Sequence, residues 1–266
     1  SDEKHGAEKA YLIPFSWSIS DVLRGHLCDE EDAEFLVNLA YVYFDIGNYE
    51  NVYQFSECAL EINTNVSFDI GNYEKVYQFF ERALEINTNV SGADSVLVSS
   101  DYYNLAQVSY SMYQFPSALS FSRKSLAIRK KYYSSNDIEI IVLIKMMAGI
   151  YVKLNRPDRA ERLYAWAAEK FENNPKTDFL QLSTHYSDMA TFYRERGYSG
   201  DYEKAERYYQ KAESGMKKVY GSKLHPEIAA FYDEKALLYD NMGKYMEALS
   251  LLKESLSIKE KTLEEE

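Results

Sequence analysis

The stretch KALLYDNMGKYMEA, residues 235–248, sets Ala236 and Tyr239 on one helical face, breaks at an Asn-Met-Gly-Lys turn, and resumes with Tyr245 and Ala248. Four other places follow the same plan. Their first halves are NLAYVY at 38–43, NLAQVSY at 104–110, MMAGIY at 146–151 and DMATFY at 188–193. Their second halves are YENV at 49–52, FPSA at 115–118, PDRA at 157–160 and YEKA at 202–205. Each first half carries a small residue (Ala40, Ala106, Ala148, Ala190, Ala236) with an aromatic three or four places on. In the last unit Ala236, Tyr239 and Gly243, then Tyr245, Ala248, Leu249, Leu252 and Leu256, make two apolar stripes at helical spacing. Gly47, Gly197 and Gly243 stand where a helix must end and the chain turn back, a position that favours glycine. The central alanine lets the paired helix approach closely. Each unit therefore reads as a helix hairpin that cannot bury its apolar face alone and must stack on its neighbours.

These residues resemble the tetratricopeptide repeat (TPR), over roughly residues 32–261. From Ala106 onward the equivalent alanines are 42, 42 and 46 residues apart, the longest step carrying the extra Tyr-Ser-Gly at 198–200. A repeat near 42 residues, with GSKLHP at 221–226 leading into a helix, is similar to the kinesin-light-chain subclass. The resemblance implies an all-α fold: a right-handed superhelical solenoid of stacked antiparallel helix hairpins. The expected layout is an N-terminal capping segment, 1–30, followed by a solenoid over 31–266 of about five hairpins. Pro14 and the SWSIS run at 16–20 blur any helix before about Ser20, and Trp17 and Leu23 are expected to cap the stack.

One interval breaks the rule, because Ala40 and Ala106 are 66 residues apart. The cause is a duplication. FDIGNYENVYQFSECALEINTNVS at 44–67 recurs as FDIGNYEKVYQFFERALEINTNVS at 68–91, with three differences in 24 residues: Asn51/Lys75, Ser56/Phe80 and Cys58/Arg82. A second helix has been copied without its first-helix partner, so one extra helix is expected at 68–91. Its Tyr73, Val76, Tyr77, Phe80, Ala83 and Leu84 share one face. Burying each large member is worth roughly 1.5–3 kcal/mol, so the helix should dock. A helix of about 16 residues is ~24 Å long, and the connector 63–70 spans at most ~28 Å. An antiparallel return is easier than a parallel one, and a local irregularity is expected between Ile62 and Val96. The near-identity of the copies also raises competition for one slot, or a homodimer through the duplicated helix or a stack end.

Composition agrees with a helical array. Of 266 residues, 46% are hydrophobic and 27% charged, the balance of a globular protein. With 11 glycines and 5 prolines there are too few turn residues for a sandwich or barrel. The 25 tyrosines suit thin helical layers, where a ring packs inside and its hydroxyl reaches water. A net charge of −12 argues against nucleic acid or an anionic membrane as partner and favours basic peptides. Cys28 and Cys58 build neither a disulfide framework nor a zinc site, and the four histidines are scattered, so no metal or cofactor is expected. Residues 1–6 carry no apolar signal core, and no run approaches the ~20 apolar residues of a membrane span. The expected location is cytoplasmic. Leu251, Ile258 and Leu263 in the last unit predict further helices or a partner beyond it.

No glycine-rich phosphate cradle, nucleophile elbow, paired-histidine metal motif or triad order is present in the sequence, so it reads as non-catalytic. Acidic pairs such as Asp233 with Glu234 read as solvated faces, and His185 with Asp188 as structural or groove-lining. The TPR resemblance implies that first helices line a concave groove that binds a peptide. Helical offsets from each alanine then nominate Asn38, Tyr41, Phe44, Tyr103, Asn104, Gln107, Lys145, Asp188, Arg194, Asp233 and Glu234 as the peptide-binding set. Ser187, Thr191, Leu237 and Asp240 occupy equivalent offsets. Asn38 and Asn104 match an asparagine that such arrays use to hold peptide backbone, whereas Met146, Asp188 and Glu234 depart from it. Basic residues are too few for a chaperone carboxylate clamp. The expected function is a protein–protein interaction scaffold or adaptor whose protein or peptide ligand is basic with an apolar anchor. The alternative is a regulatory sensor domain whose solenoid changes shape on binding a peptide or small ligand.

Overall fold

The computed structural model describes residues 70–221 and 225–264. Among them are nine helices and no strand: α1 (Ile70–Ser91), α2 (Val96–Ser111), α3 (Phe115–Tyr132), α4 (Ile138–Lys153), α5 (Pro157–Asn173), α6 (Phe179–Arg196), α7 (Asp201–Tyr220), α8 (Pro226–Asn241) and α9 (Tyr245–Glu264). The chain divides into two compact units, one ending at Tyr132 and one beginning at Tyr133. In the first, α1 packs on α2, and α2 closes a hairpin with α3. In the second, α4–α5, α6–α7 and α8–α9 are hairpins, joined in sequence by α5 against α6 and α7 against α8, with α6 also touching α8. The N-terminal segment 1–30, Gly47 and the first copy of the duplicated stretch lie outside the described residues.

Local chemistry sets the helix ends. Ser95 Oγ accepts from Val98 N at 3.3 Å, and Asp178 Oδ1 from Gln181 N at 2.7 Å, so each satisfies an orphan amide of the first turn. Pro157 and Pro226 open α5 and α8, where a missing N–H costs nothing. Three hairpins turn through the same closure: Gln114 N to Ser109 O, Arg156 N to Tyr151 O and Lys244 N to Tyr239 O, at 2.8–2.9 Å. The residue before each donor is left-handed, and it is Tyr113 (φ 59°), Asn155 (φ 55°) and Gly243 (φ 72°) in turn. Only the last carries the glycine that the sequence pattern uses as its marker. Tyr113 is held there with its ring edge-on to Phe115 at 6.1 Å.

The duplicated helix docks. In α1, Tyr73, Val76, Phe79, Phe80 and Ala83 are all buried, with Tyr77 and Leu84 half-covered. Phe80, one of the three differences between the copies, is buried where the first copy has Ser56. The helix runs to Ser91, and its last turns bury Asn87, which donates from Nδ2 to Asp101 Oδ2 of α2 at 2.8 Å. From Ile70 to Val96 the backbone is one regular helix and a short turn with Gly92 at φ 85°. The elements that precede this helix in the stack, and residues 62–69 of the interval where an irregularity is expected, lie outside the described residues.

The core is built on small residues. Ala106, Ala148, Ala190 and Ala236 of the first helices, and Ala118, Ala160, Ala205 and Ala248 of the second, are all buried. The α6–α7 crossing goes further: a Cβ added to Gly215 would lie 2.0 Å from Ser183 Oγ and 3.3 Å from Phe179 O. Larger side chains gather beside the crossings, as where Ile141, Ala167 and Phe171 pack with Trp166 and Leu182. His185 belongs to this interior. It is fully buried, its Nε2 donates to Tyr164 O at 3.1 Å, and its Nδ1 has no partner. Burial first, and Lys145 second, pull its pKa down to about 4.

Two outcomes follow from this packing. Gly215→Ala gains helix propensity worth about 1 kcal/mol but overpacks a backbone crossing, which costs about 1–3 kcal/mol. The variant should unfold at lower urea, and adding Ser183→Ala should restore part of the loss; a Gly215→Ala protein as stable as the parent would show the crossing to be loose. The second outcome concerns acid. Folded His185 stays neutral to about pH 4 while the unfolded side chain protonates near 6.5, so the unfolded state binds more protons between those values. Stability should therefore fall as pH drops through that window, by about 2 kcal/mol between pH 7 and pH 5. Urea titrations of His185→Gln should lose most of that slope, and an unchanged slope would place the titrating group elsewhere.

Candidate functional site

In the second unit the candidate side chains stand on α4, α6 and α8, and the structure pairs them with one another. Lys145 Nζ of α4 meets Asp188 Oδ2 of α6 at 2.8 Å, and Arg194 Nη2 of α6 meets Glu234 Oε2 of α8 at 3.0 Å. Both pairs are partly open to solvent; the carboxylate side chains are 37% and 48% exposed. Between them on α6, Thr191 Oγ1 is 3.0 Å from the hydroxyl of buried Tyr209. Ser187 Oγ and Arg194 Nε, on the same face, have no hydrogen-bond partner. On α8, Leu237 is 46% exposed and lies three residues from both Glu234 and Asp240, which are exposed too.

The other candidates stand apart. Asp233 turns to its own hairpin partner, its Oδ2 accepting from Lys259 Nζ of α9 at 2.6 Å, and burial raises its pKa less than Lys259 and Ser255 lower it. In the first unit, Gln107 Nε2 donates to Tyr103 OH at 3.4 Å, Gln107 Oε1 has no partner, and Asn104 is 8% exposed. Arg129 of α3 lies over the Tyr103 ring at 5.0 Å. Asn38, Tyr41 and Phe44 lie outside the described residues.

A second constellation, on the side of α5 and α7, was not singled out from sequence. Glu161 and Glu172 of α5 each receive one tyrosine of α6 and one lysine of α7. Tyr193 OH donates to Glu161 Oε1 at 2.9 Å, and Lys204 Nζ lies 3.6 Å from it. Tyr186 OH donates to Glu172 Oε1, and Lys211 Nζ lies 3.2 Å away. Each lysine also sits over its tyrosine ring, both at 4.8 Å. Tyr208 stands between the two sets, stacked on Tyr193 at 5.7 Å and tilted against Tyr186 at 6.0 Å. Burial, and then the carboxylate bonds, raise the pKa of Tyr186 and Tyr193. Glu161 is lowered by Arg196 first, and Glu172 by Tyr186 first. The signal in the sequence was the matched spacing of seven between Tyr186 and Tyr193 and between Lys204 and Lys211, on two helices that run antiparallel.

Arg196 locks the Glu161 end. Its Nε and Nη2 fork onto Asp201 Oδ2 and Oδ1, both at 2.7 Å, and its Nη1 reaches Glu161 Oε2 at 2.6 Å. Asp201 is 1% exposed and also accepts from Tyr198 N at 3.0 Å. The guanidinium lies over the rings of Phe192, Tyr193 and Tyr198 at 4.9–5.1 Å. The shifted groups of this region are thus accounted for by burial and by ion pairs that tie helices together. Among the described residues no group of three or more His, Cys, Asp or Glu side chains is placed to hold a metal ion, and no helix is long and apolar enough to cross a membrane.

No curated protein matches the chain. Solved structures do. BtubC (BKLC) from P. vanneervenii superposes with a TM-score of 0.65 over 87% of this chain and 88% of that one, at 16% sequence identity. A putative kinesin light chain from Podosopora anserina, with nearly identical TPR-like repeats, gives 0.60 over 92% and 98%, at 15% identity. At such identities the likeness is one of fold. The sequence profile of the tetratricopeptide repeat matches residues 65–131 and 181–261, and a second profile of the same description matches 33–66. With those matches over more than half its length, and with hairpins of the same all-α helical-repeat architecture, this chain belongs to the tetratricopeptide repeat family.

Proposed function

We propose that the chain is a non-catalytic scaffold or adaptor that binds a peptide segment of a protein partner on the first-helix face of α4, α6 and α8. The observation that carries this reading is the pair of partly exposed ion bridges, Lys145–Asp188 and Arg194–Glu234, that cross from one first helix to the next. Exposed pairs of this kind are worth about 0–1 kcal/mol, so a ligand bringing its own charges exchanges them at little cost. The exposed Leu237, flanked by Glu234 and Asp240, suits a peptide with an apolar anchor between lysines or arginines. On this reading the anchor sits on α8, beside the acidic residues. Opening bridges between neighbouring first helices also alters their spacing, which is how a regulatory sensor would respond to its ligand.

Panning a peptide library on the purified chain tests the reading. Enriched peptides should share an apolar residue flanked by Lys or Arg, and Glu234→Gln with Asp240→Lys should weaken them about tenfold, or about 1.4 kcal/mol. Peptides that bind the double variant as tightly as the parent would remove this face as the binding site.

A further inference from the structure

The tyrosine–lysine–glutamate constellation leaves a cavity of about 320 Å³ lined by Tyr193, Lys204, Arg207, Tyr208 and Lys211. Its cations are not equivalent. Lys204 is committed to Glu161 and Asp201, and Lys211 to Glu172. Arg207 is exposed, and its hydrogen bond runs from Nε to the carbonyl of Glu203 on its own helix, at 3.2 Å. Among the described residues no carboxylate pairs with it. Residues 204, 207, 208 and 211 fall on one face of α7, spread along about 10 Å. The result is one exposed guanidinium without a carboxylate, between two ion-paired lysines and beside tyrosine rings, on an otherwise strongly acidic chain.

We infer that this cavity is a docking site for an acidic peptide segment of a partner, seated by a carboxylate on the Arg207 guanidinium. The guanidinium presents a planar fork that matches a carboxylate in two parallel hydrogen bonds. The flanking lysines are held over tyrosine rings and paired with carboxylates of the fold, so Arg207 is the cation of the cavity whose charge no carboxylate among the described residues offsets. The parallel Tyr193 and Tyr208 rings offer an apolar wall for the peptide chain. The site is separate from the first-helix face and takes the opposite charge, so it does not rest on the function proposed above. A chain of net charge −12 repels an acidic peptide at long range. At 0.15 M salt the screening length is about 8 Å, which removes most of that repulsion and leaves the contact.

The test is fluorescence anisotropy at 0.15 M salt with a fluorescein-labelled hexaglutamate peptide, and hexalysine as its counterpart. Hexaglutamate should bind the parent, weaken at least tenfold with Arg207→Glu, and weaken only a few-fold with Arg207→Lys. Circular dichroism and the melting temperature of both variants should match the parent, since Arg207 bonds only to its own helix. Hexalysine binding should be insensitive to Arg207→Lys, which separates this site from the first-helix face. Hexaglutamate that fails to bind the parent, or that binds Arg207→Glu equally well, overturns the proposal. Displacement of the peptide by inorganic phosphate, beyond what chloride of equal ionic strength achieves, would also overturn it by showing a phosphoryl site. Sedimentation showing Arg207-dependent self-association would overturn it in favour of a second copy of the chain.

Discussion

The architecture depends on how closely two helices of a hairpin can approach. At each crossing in the described residues an alanine of one helix faces the partner, and at α6–α7 a glycine brings backbone within contact of Ser183 and Phe179. That proximity leaves no room for a large side chain at the centre, so bulk is displaced to the flanks. Tyrosine is the economical residue there, because its ring fills the flank while its hydroxyl reaches the next hairpin. Tyr186 and Tyr193 do this: both are buried, yet both end on a glutamate of α5. Small residues at the α6–α7 crossing thus leave the flank that these two tyrosines fill.

The hairpins were legible because alanine followed by an aromatic, at a fixed spacing, is a local signal that survives in one sequence. The duplicated helix was legible from near-identity, and its apolar face from its spacing, though Phe79 and Asn87 belong to the buried surface and were not foreseen. The turns were only half legible. Glycine marks those at 197 and 243, but Tyr113 and Asn155 hold the same left-handed conformation, because the hydrogen-bond closure to Ser109 and Tyr151 dictates it. A non-glycine residue there costs about 1 kcal/mol or more, which the surrounding structure over-determines.

Side-chain pairing was the least legible layer. Counting offsets from each alanine nominated Lys145, Asp188, Arg194 and Glu234 one by one, without their partners. Contact between successive first helices joins them instead, Lys145 to Asp188 and Arg194 to Glu234, so much of the charge is cancelled across the repeats. Asp233, at the neighbouring position, rotates about 100° away along the helix and meets Lys259. Which charge meets which depends on repeat stacking, a non-local quantity that no window of sequence contains.

The two kinds of ion pair differ in what breaking them costs. Arg196 and Asp201 are 9% and 1% exposed, and removing one partner of such a pair strands a buried charge at about 3–5 kcal/mol. The Arg194–Glu234 bridge joins a guanidinium 13% exposed to a carboxylate 48% exposed, so breaking it leaves a carboxylate that water can solvate and costs less. Strong braces therefore join α5, α6 and α7, while weak ones join α4 to α6 and α6 to α8. On the function proposed above, a ligand on the first helices would meet bridges it can replace, held in position by stronger braces. That asymmetry lets one surface exchange its charge partners while the hairpins that present it stay fixed.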